Sequence, residues 1–183
     1  QSSLPAKRHS PDPLIANAPN QLWSWNITYL PSTVRGRFFY LYMVMVLYSR
    51  KAVVCQVYEY ESGDLAAELI TDTYLREKIP KKQVTLHSDN GSPMKCATMM
   101  AKLQNLGVVS SFSRPSISND NPYSESLFRT LKYRPEYPDK PFKTLFEARE
   151  WANRFIHWYN KEHLHSSIHF VTPEDRHNGR DIK

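Results

Sequence analysis

Cysteine is almost missing from this chain: Cys55 and Cys96 are the only two in 183 residues. They stand far apart and outside any CxxC or Cys/His metal spacing. That excludes a disulfide scaffold, and it leaves two buried thiols in a reducing compartment as the expectation. Long hydrophobic runs are missing as well. The longest, Phe38 to Tyr48, has eleven residues, about half of the roughly twenty that a spanning helix needs, so it is expected as a buried strand and no membrane partner is expected. No basic start and apolar stretch of a signal peptide follows Gln1. The missing initiator Met points to a piece of something longer. Internal repeats and low-complexity tracts are absent too.

What is present describes one folded domain. Hydrophobic residues make up 40% and aromatics 13% of the chain, enough apolar surface for a core without staples. The net charge of +6 favours a polyanionic partner without demanding one. Residues 1–20 carry Pro5, Pro11, Pro13 and Pro19 among small polar residues, a linker composition. The core is therefore expected over 21–179, with 180–183 as a tail.

The periodicity then changes along the chain. Trp23, Trp25, Ile27 and Tyr29 alternate with polar residues, and Phe38 to Leu47 and Val53 to Tyr58 are rich in β-branched and aromatic types. Three consecutive antiparallel strands follow from this. Leu65, Leu69, Ile70 and Tyr74 have helical spacing within Asp64 to Lys78. Gln83 to Leu86 reads as a strand, Ser92 and Pro93 as a helix start, and Cys96, Met99, Leu103 and Leu106 as a helical stripe closed by Gly107. Val108 to Phe112 returns to strand, which makes a parallel β-α-β crossover. Asn121 and Pro122 open a helix to about Tyr133. Thr144 and Glu147 form a capping box for another, with Trp151, Phe155, Trp158 and Tyr159 on its apolar face. The expected fold class is α/β: a five-stranded mixed sheet, first three strands antiparallel, flanked by helices.

Two carboxylates stand out. Asp89, in His87-Ser88-Asp89-Asn90-Gly91, follows a short apolar strand and should project from the carboxyl end of a parallel strand, where sites in α/β sheets gather. On position alone, an ordinary turn aspartate beside Asn90-Gly91 is the simpler reading. Glu125 shares a helix arc with Arg129 and Lys132, opposite Tyr123, Leu127 and Leu131, and a solvated ion-pair face is the commoner meaning of such spacing. Together, a strand-end Asp and a helix Glu can be oxygen ligands for divalent cations in phosphoryl transfer, where a third acid on a central strand would bridge the ions.

The blocks Trp23-Ser24-Trp25-Asn26-Ile27-Thr28-Tyr29-Leu30, His87 through Pro93, Ser113-Arg114-Pro115, Ser118 through Tyr133, and Trp158-Tyr159-Asn160 leading to Phe170-Val171-Thr172-Pro173 resemble the retroviral-integrase-like DDE transposases of bacterial insertion sequences, in the OrfB-type catalytic subunit. The resemblance runs from about Pro19 to Gly179. Between Asp89 and Glu125 lie 35 residues, the spacing of that family's D,D(35)E pattern. The resemblance implies an RNase H-like fold and a site of Asn26, Asp89 and Glu125. Asp89 and Glu125 would each hold one Mg²⁺ or Mn²⁺, and Asn26 would stand where the family has its bridging Asp.

The amide at Asn26 offers one neutral oxygen. A unit charge lost ~4 Å from a cation at an effective dielectric of about 20 forfeits roughly 4 kcal/mol, on the order of a thousandfold in rate or metal affinity. Severely impaired chemistry is expected here, with a two-ion site in the Asn26→Asp form. Whether Asn26 is an engineered or a decayed position is left open by the sequence.

The resemblance further implies double-stranded DNA as partner (element ends and target), a homo-oligomer on that DNA, and a bacterial, nucleoid-associated location. Lys132, Arg129, Arg114, Asn119 and Tyr123 are the candidate DNA contacts. A nuclease that only hydrolyses, and a DNA-binding or assembly module without catalysis, remain as alternatives. His87 is expected to be packed and hydrogen-bonded, Trp23 and Trp25 to be core residues, and His157, His163, His165 and His169 to be structural rather than zinc ligands.

Overall fold

The computed structural model describes residues 15–80, 84–88, 95–112 and 122–182. Strands β1 (Leu22–Pro31), β2 (Phe38–Val46) and β3 (Ala52–Tyr58) come first, then helix α1 (Gly63–Arg76), β4 (Thr85–Ser88), α2 (Ala97–Leu106) and β5 (Val109–Phe112). Helices α3 (Pro122–Lys132) and α4 (Leu145–Lys161), a 3-10 turn (Ser166–Ile168) and the short α5 (Pro173–His177) complete the chain. The five strands lie in the order β3-β2-β1-β4-β5. β1 pairs antiparallel with β2 and β2 with β3, whereas β1 pairs parallel with β4 and β4 with β5. This is the expected mixed sheet. Its fourth strand lies two residues later than expected, because Val84 continues the buried core while the ladder begins only at Thr85.

Local chemistry accounts for the helix ends. Ser62 caps α1 by accepting from the Asp64 and Leu65 amides at 3.1 and 3.4 Å, and Thr172 caps α5 with Pro173 in the first turn. The described part of the second helix is capped by the Cys96 thiol and ended by Gly107 at φ 75°, a left-handed position that suits glycine. The expected start at Ser92 and Pro93 lies outside the described residues. At α4, Thr144 accepts from the Glu147 amide at 3.1 Å, but Glu147 accepts from the Lys143 amide at 2.9 Å instead of the Thr144 amide. The box is therefore open by one residue. Both cysteines are free and only half buried rather than fully buried: Cys96 is spent on capping, and Cys55 leans on the Ala152 carbonyl.

Apolar clusters fill both faces of the sheet. Trp23, Trp25, Tyr42, Val44 and Val46 pack under α1 and α2, while Leu41, Met43 and Met45 pack under α3 and α4 with Leu127, Leu131, Trp151 and Phe155. Trp23 and Trp25 are core residues, as expected. The outer edge of β3 is closed by side chains: Asn160 both accepts from and donates to the Ala52 backbone, Arg76 donates to the Val53 carbonyl and Arg149 to the Val57 carbonyl. A covered edge cannot template pairing with another chain. Near the carboxyl end, Arg180 and Asp181 pair with Asp175 and Arg176 at 2.9 and 2.7 Å.

Candidate functional site

β1 is central in the sheet and polar on one side. Trp23, Trp25 and Ile27 face the α1 and α2 cluster, so strand alternation turns Ser24, Asn26 and Thr28 towards α3. Two polar contacts bind that row to the helix. The Ser24 and Ser124 hydroxyls meet at 2.7 Å, both buried, and the Lys132 ammonium donates to the Thr28 hydroxyl at 2.9 Å. Asn26 stands midway between these clamps. Glu125 follows Ser124 in the chain, at the part of α3 that the first clamp holds to β1.

The Asn26 side chain accepts from the amide of Ile27 at 2.8 Å. Among the described residues the β1-β4 ladder runs as far as Trp25↔Ser88. Ser88, which precedes Asp89, therefore pairs with Trp25, which precedes Asn26. Asp89 itself lies outside the described residues, as do Arg114 and Asn119.

The remaining predicted residues are all on α3. Ser124, Leu127, Phe128 and Leu131 are buried, while Glu125, Arg129 and Lys132 are exposed. Burial of its stem pushes the Lys132 ammonium below the usual lysine range. Tyr123 has one ring face covered by Arg50, whose guanidinium carbon is 4.4 Å from the ring centroid. Arg50 also donates to the Leu47 carbonyl and to the Ser167 hydroxyl, so the β2-β3 turn, the start of α3 and the 3-10 turn meet on one side chain. His87 is packed as expected, with its ring nitrogen 3.0 Å from the Ser111 hydroxyl. His163 and His165 pack against each other and against Tyr159. His165 also caps the 3-10 turn.

Sequence reasoning missed Ser24, Thr28 and Ser124. The signal for Ser24 and Thr28 was the polar half of the β1 alternation, which a strand buried on both faces should not carry. It also missed a buried relay in which the Ser49 hydroxyl meets His177 at 3.0 Å and His177 meets Glu77 at 3.2 Å. Contact with His177 holds the Glu77 carboxyl below its usual range. Ser49 is wholly buried, so this array fastens α5 to the β2-β3 turn and to the end of α1.

Divalent-cation chemistry asks for several anionic oxygens. The described residues give one carboxylate, Glu125, and one neutral amide oxygen already committed to Ile27, with the Lys132 cation two residues along the same row. Among the described residues no group of three or more His, Cys, Asp and Glu side chains could hold a metal ion. These described donors alone, without Asp89, fall short of what a bridged pair of cations asks for. A groove of about 550 Å³ borders β3 between α1 and α4, two strands from Asn26, and contains none of the predicted site residues.

A mixed sheet in this order, helices on both faces and a polar row on its central strand define an RNase H-like core. The fold is similar to the HTLV-2 integrase catalytic core domain solved in complex with magnesium (TM-score 0.65, 13% identity, 87% of this chain and 97% of that one). It is also similar to a chain of the simian T-cell lymphotropic virus intasome (TM-score 0.72, 14% identity, 94% of this chain and 60% of that one). The integrase core domain family matches residues 16–117, and a second integrase core description matches 106–173; this chain belongs to that family. The transposase for insertion sequence element IS904 of Lactococcus lactis subsp. lactis (strain IL1403) is 31% identical over 164 residues, covering 87% of this chain and 62% of that protein. The chain spans about three-fifths of the length of the curated relatives it matches.

Proposed function

We propose that this chain is the catalytic core of a bacterial insertion-sequence transposase, whose parent form cuts DNA at an element end and joins the freed 3′ hydroxyl to target DNA. We propose also that Asn26 silences it. The observation that carries this reading is the buried contact of Ser24 with Ser124, which ties β1, the strand of Asn26, to α3, the helix of Glu125. Asp89 completes the set in the proposal, and residues 21–179 form the core between a linker and a tail. Mg²⁺ or Mn²⁺ is the proposed cofactor of the Asn26→Asp form, in which the donor set regains an anionic oxygen at the position between the two other acids. The proposed DNA contacts are Lys132 and Arg129, with Arg114, Asn119 and Tyr123 beside them, and a homo-oligomer is the proposed working unit on double-stranded DNA. Phosphate contacts of this kind hold register without reading sequence.

Asn26 favours one second reading, an assembly module that binds DNA without cutting it. Asn26→Asp separates the two. Metal-dependent nicking of DNA carrying the element's ends should rise on the order of a thousandfold over this chain, and Mg²⁺ should raise the thermal midpoint of the variant more than that of this chain. A variant that binds DNA yet shows neither effect would establish the assembly module. Nicking without joining of the 3′ end would establish a nuclease that only hydrolyses.

A further inference from the structure

Six arginines of the described chain are spent on the fold. Arg50, Arg76 and Arg149 donate to backbone carbonyls, Arg134 lies 3.6 Å from the Trp158 ring centroid, and Arg176 and Arg180 are paired with Asp181 and Asp175. Arg35 and Arg37 are different. They sit one residue apart at the tip of the β1-β2 hairpin, both exposed, and among the described residues neither takes part in an ion pair.

This tip is exposed but firmly built. Its turn is closed by the Arg37 amide donating to the Val34 carbonyl at 3.0 Å, with Gly36 at φ 79°, a conformation that glycine adopts without strain. At its base, Thr33 donates to the Phe142 carbonyl at 3.1 Å and Phe142 donates to the Pro31 carbonyl at 2.9 Å, and the Phe142 ring is buried. Tyr29 packs on Phe38 and Tyr40 with centroids 5.7 and 5.1 Å apart. Tyr29 and Phe38 remain 49% and 43% exposed, so they present apolar area beside the two guanidinium groups. Glu59 shares the shallow groove under the tip with Arg37 and Lys143. Glu61 acts on Tyr29, raising its hydroxyl pKa. Both acids follow β3 in the chain.

The tip also lies in line with the candidate site. Asn26, the Thr28-Lys132 contact and the tip follow one another along β1. At ~3.3 Å per residue the tip is roughly 20 Å or slightly more beyond Asn26, about six base pairs of duplex. We infer that the Thr33–Phe38 hairpin tip is a second DNA-contacting station, in which Arg35 and Arg37 hold backbone phosphates of the duplex flanking the site. A finger fixed at its base loses little freedom on binding, so its contacts contribute nearly in full.

This inference rests on the proposed function, and salt dependence tests the two separately. The probe is a ~30-base-pair duplex titrated with this chain over a range of salt, where each phosphate contact contributes about 0.9 to the slope of log affinity against log salt. Arg35→Ala with Arg37→Ala should lower the slope by about 1.8, so that about tenfold less affinity is lost between ~50 and ~200 mM salt. The paired lysine substitutions should restore the slope, and the thermal midpoint should not move in either variant. An unchanged slope in the alanine variant, with wild-type binding intact, overturns the second station and leaves the transposase reading standing. Absence of duplex binding by the unaltered chain overturns both.

Discussion

The two faces of β1 share a backbone and differ in polarity from Trp23 to Thr28, before Leu30 returns the α3 side to the apolar core. Towards α1 and α2 the strand offers Trp23, Trp25 and Ile27, and the helices answer with Ala66, Ala67, Ile70, Met99 and Leu103, an apolar layer throughout. Towards α3 it offers Ser24, Asn26 and Thr28, and the helix answers with Ser124 and Lys132. Burial explains the first face completely. It cannot explain the second, because polar groups cost free energy to remove from water and return it only when paired. A hydroxyl pair buried under a helix and an amide turned onto its own backbone are arrangements that an apolar filling would replace at little cost. The face that folding alone would not choose is the one turned towards α3, the helix that carries Glu125.

The comparison breaks if the apolar face proves dispensable. Trp23 is fully buried and among the largest side chains of the core, so Trp23→Ala should cost about 3–5 kcal/mol, measured as the loss in urea unfolding free energy. DNA binding per folded molecule should be unchanged, because nothing on that face is proposed to touch DNA. Ser124→Ala probes the other face. Loss of one buried hydroxyl pair should cost about 1 kcal/mol, and in an Asn26→Asp background it should reduce nicking by more than the stability loss accounts for. A reduction no larger than the change in folded fraction would make the clamp a packing contact.

Much of the fold could be read in advance, for physical reasons that differ between elements. The first three strands declare themselves by alternation and β-branched runs, and α1, α3 and α4 by apolar stripes with caps, because each is specified by its own residues. β4 was harder. Its register depends on pairing with β1 and β5, which no local pattern records, and it shifted by two residues. The Glu147 side chain went to the Lys143 amide for a similar reason, since a flexible carboxylate chooses among neighbouring donors by a geometry that the sequence does not specify. At the site, Glu125, Arg129 and Lys132 share an exposed arc as their spacing required, and Asn26 lies on the strand that the alternation indicated. What sequence could not supply was the partner of each group: Thr28 for Lys132, Ser24 for Ser124, Arg50 for Tyr123. These pairs are separated by 104, 100 and 73 positions, and only the packed sheet brings them together.

The smallest effect concerns pH and belongs to the same side of the sheet. His165 packs edge-on to Tyr159, a member of the α3 and α4 cluster. Burial, together with His163 and Arg50, pushes its pKa down from 6.5 to about 4. A histidine with a depressed folded value stabilises the protein fully above 6.5, where both states are neutral, and that contribution is lost as pH falls towards 4, because the unfolded chain takes up the proton first. Burial shifts His163 in the same direction. Glu77, whose carboxyl is held below its usual 4.5, starts to lose its contribution only as pH falls through 4.5, so the range from pH 7 to pH 5 reports chiefly on the histidine. His165→Asn keeps an acceptor for the Ser167 amide while removing the titration. In urea unfolding, this chain should lose stability between pH 7 and pH 5, and the variant should lose less by up to about 1 kcal/mol, a figure reduced for the screening that a half-exposed ring experiences. An equal loss in both proteins would move the pH sensitivity away from the α3 and α4 side and remove one of the differences between the two faces.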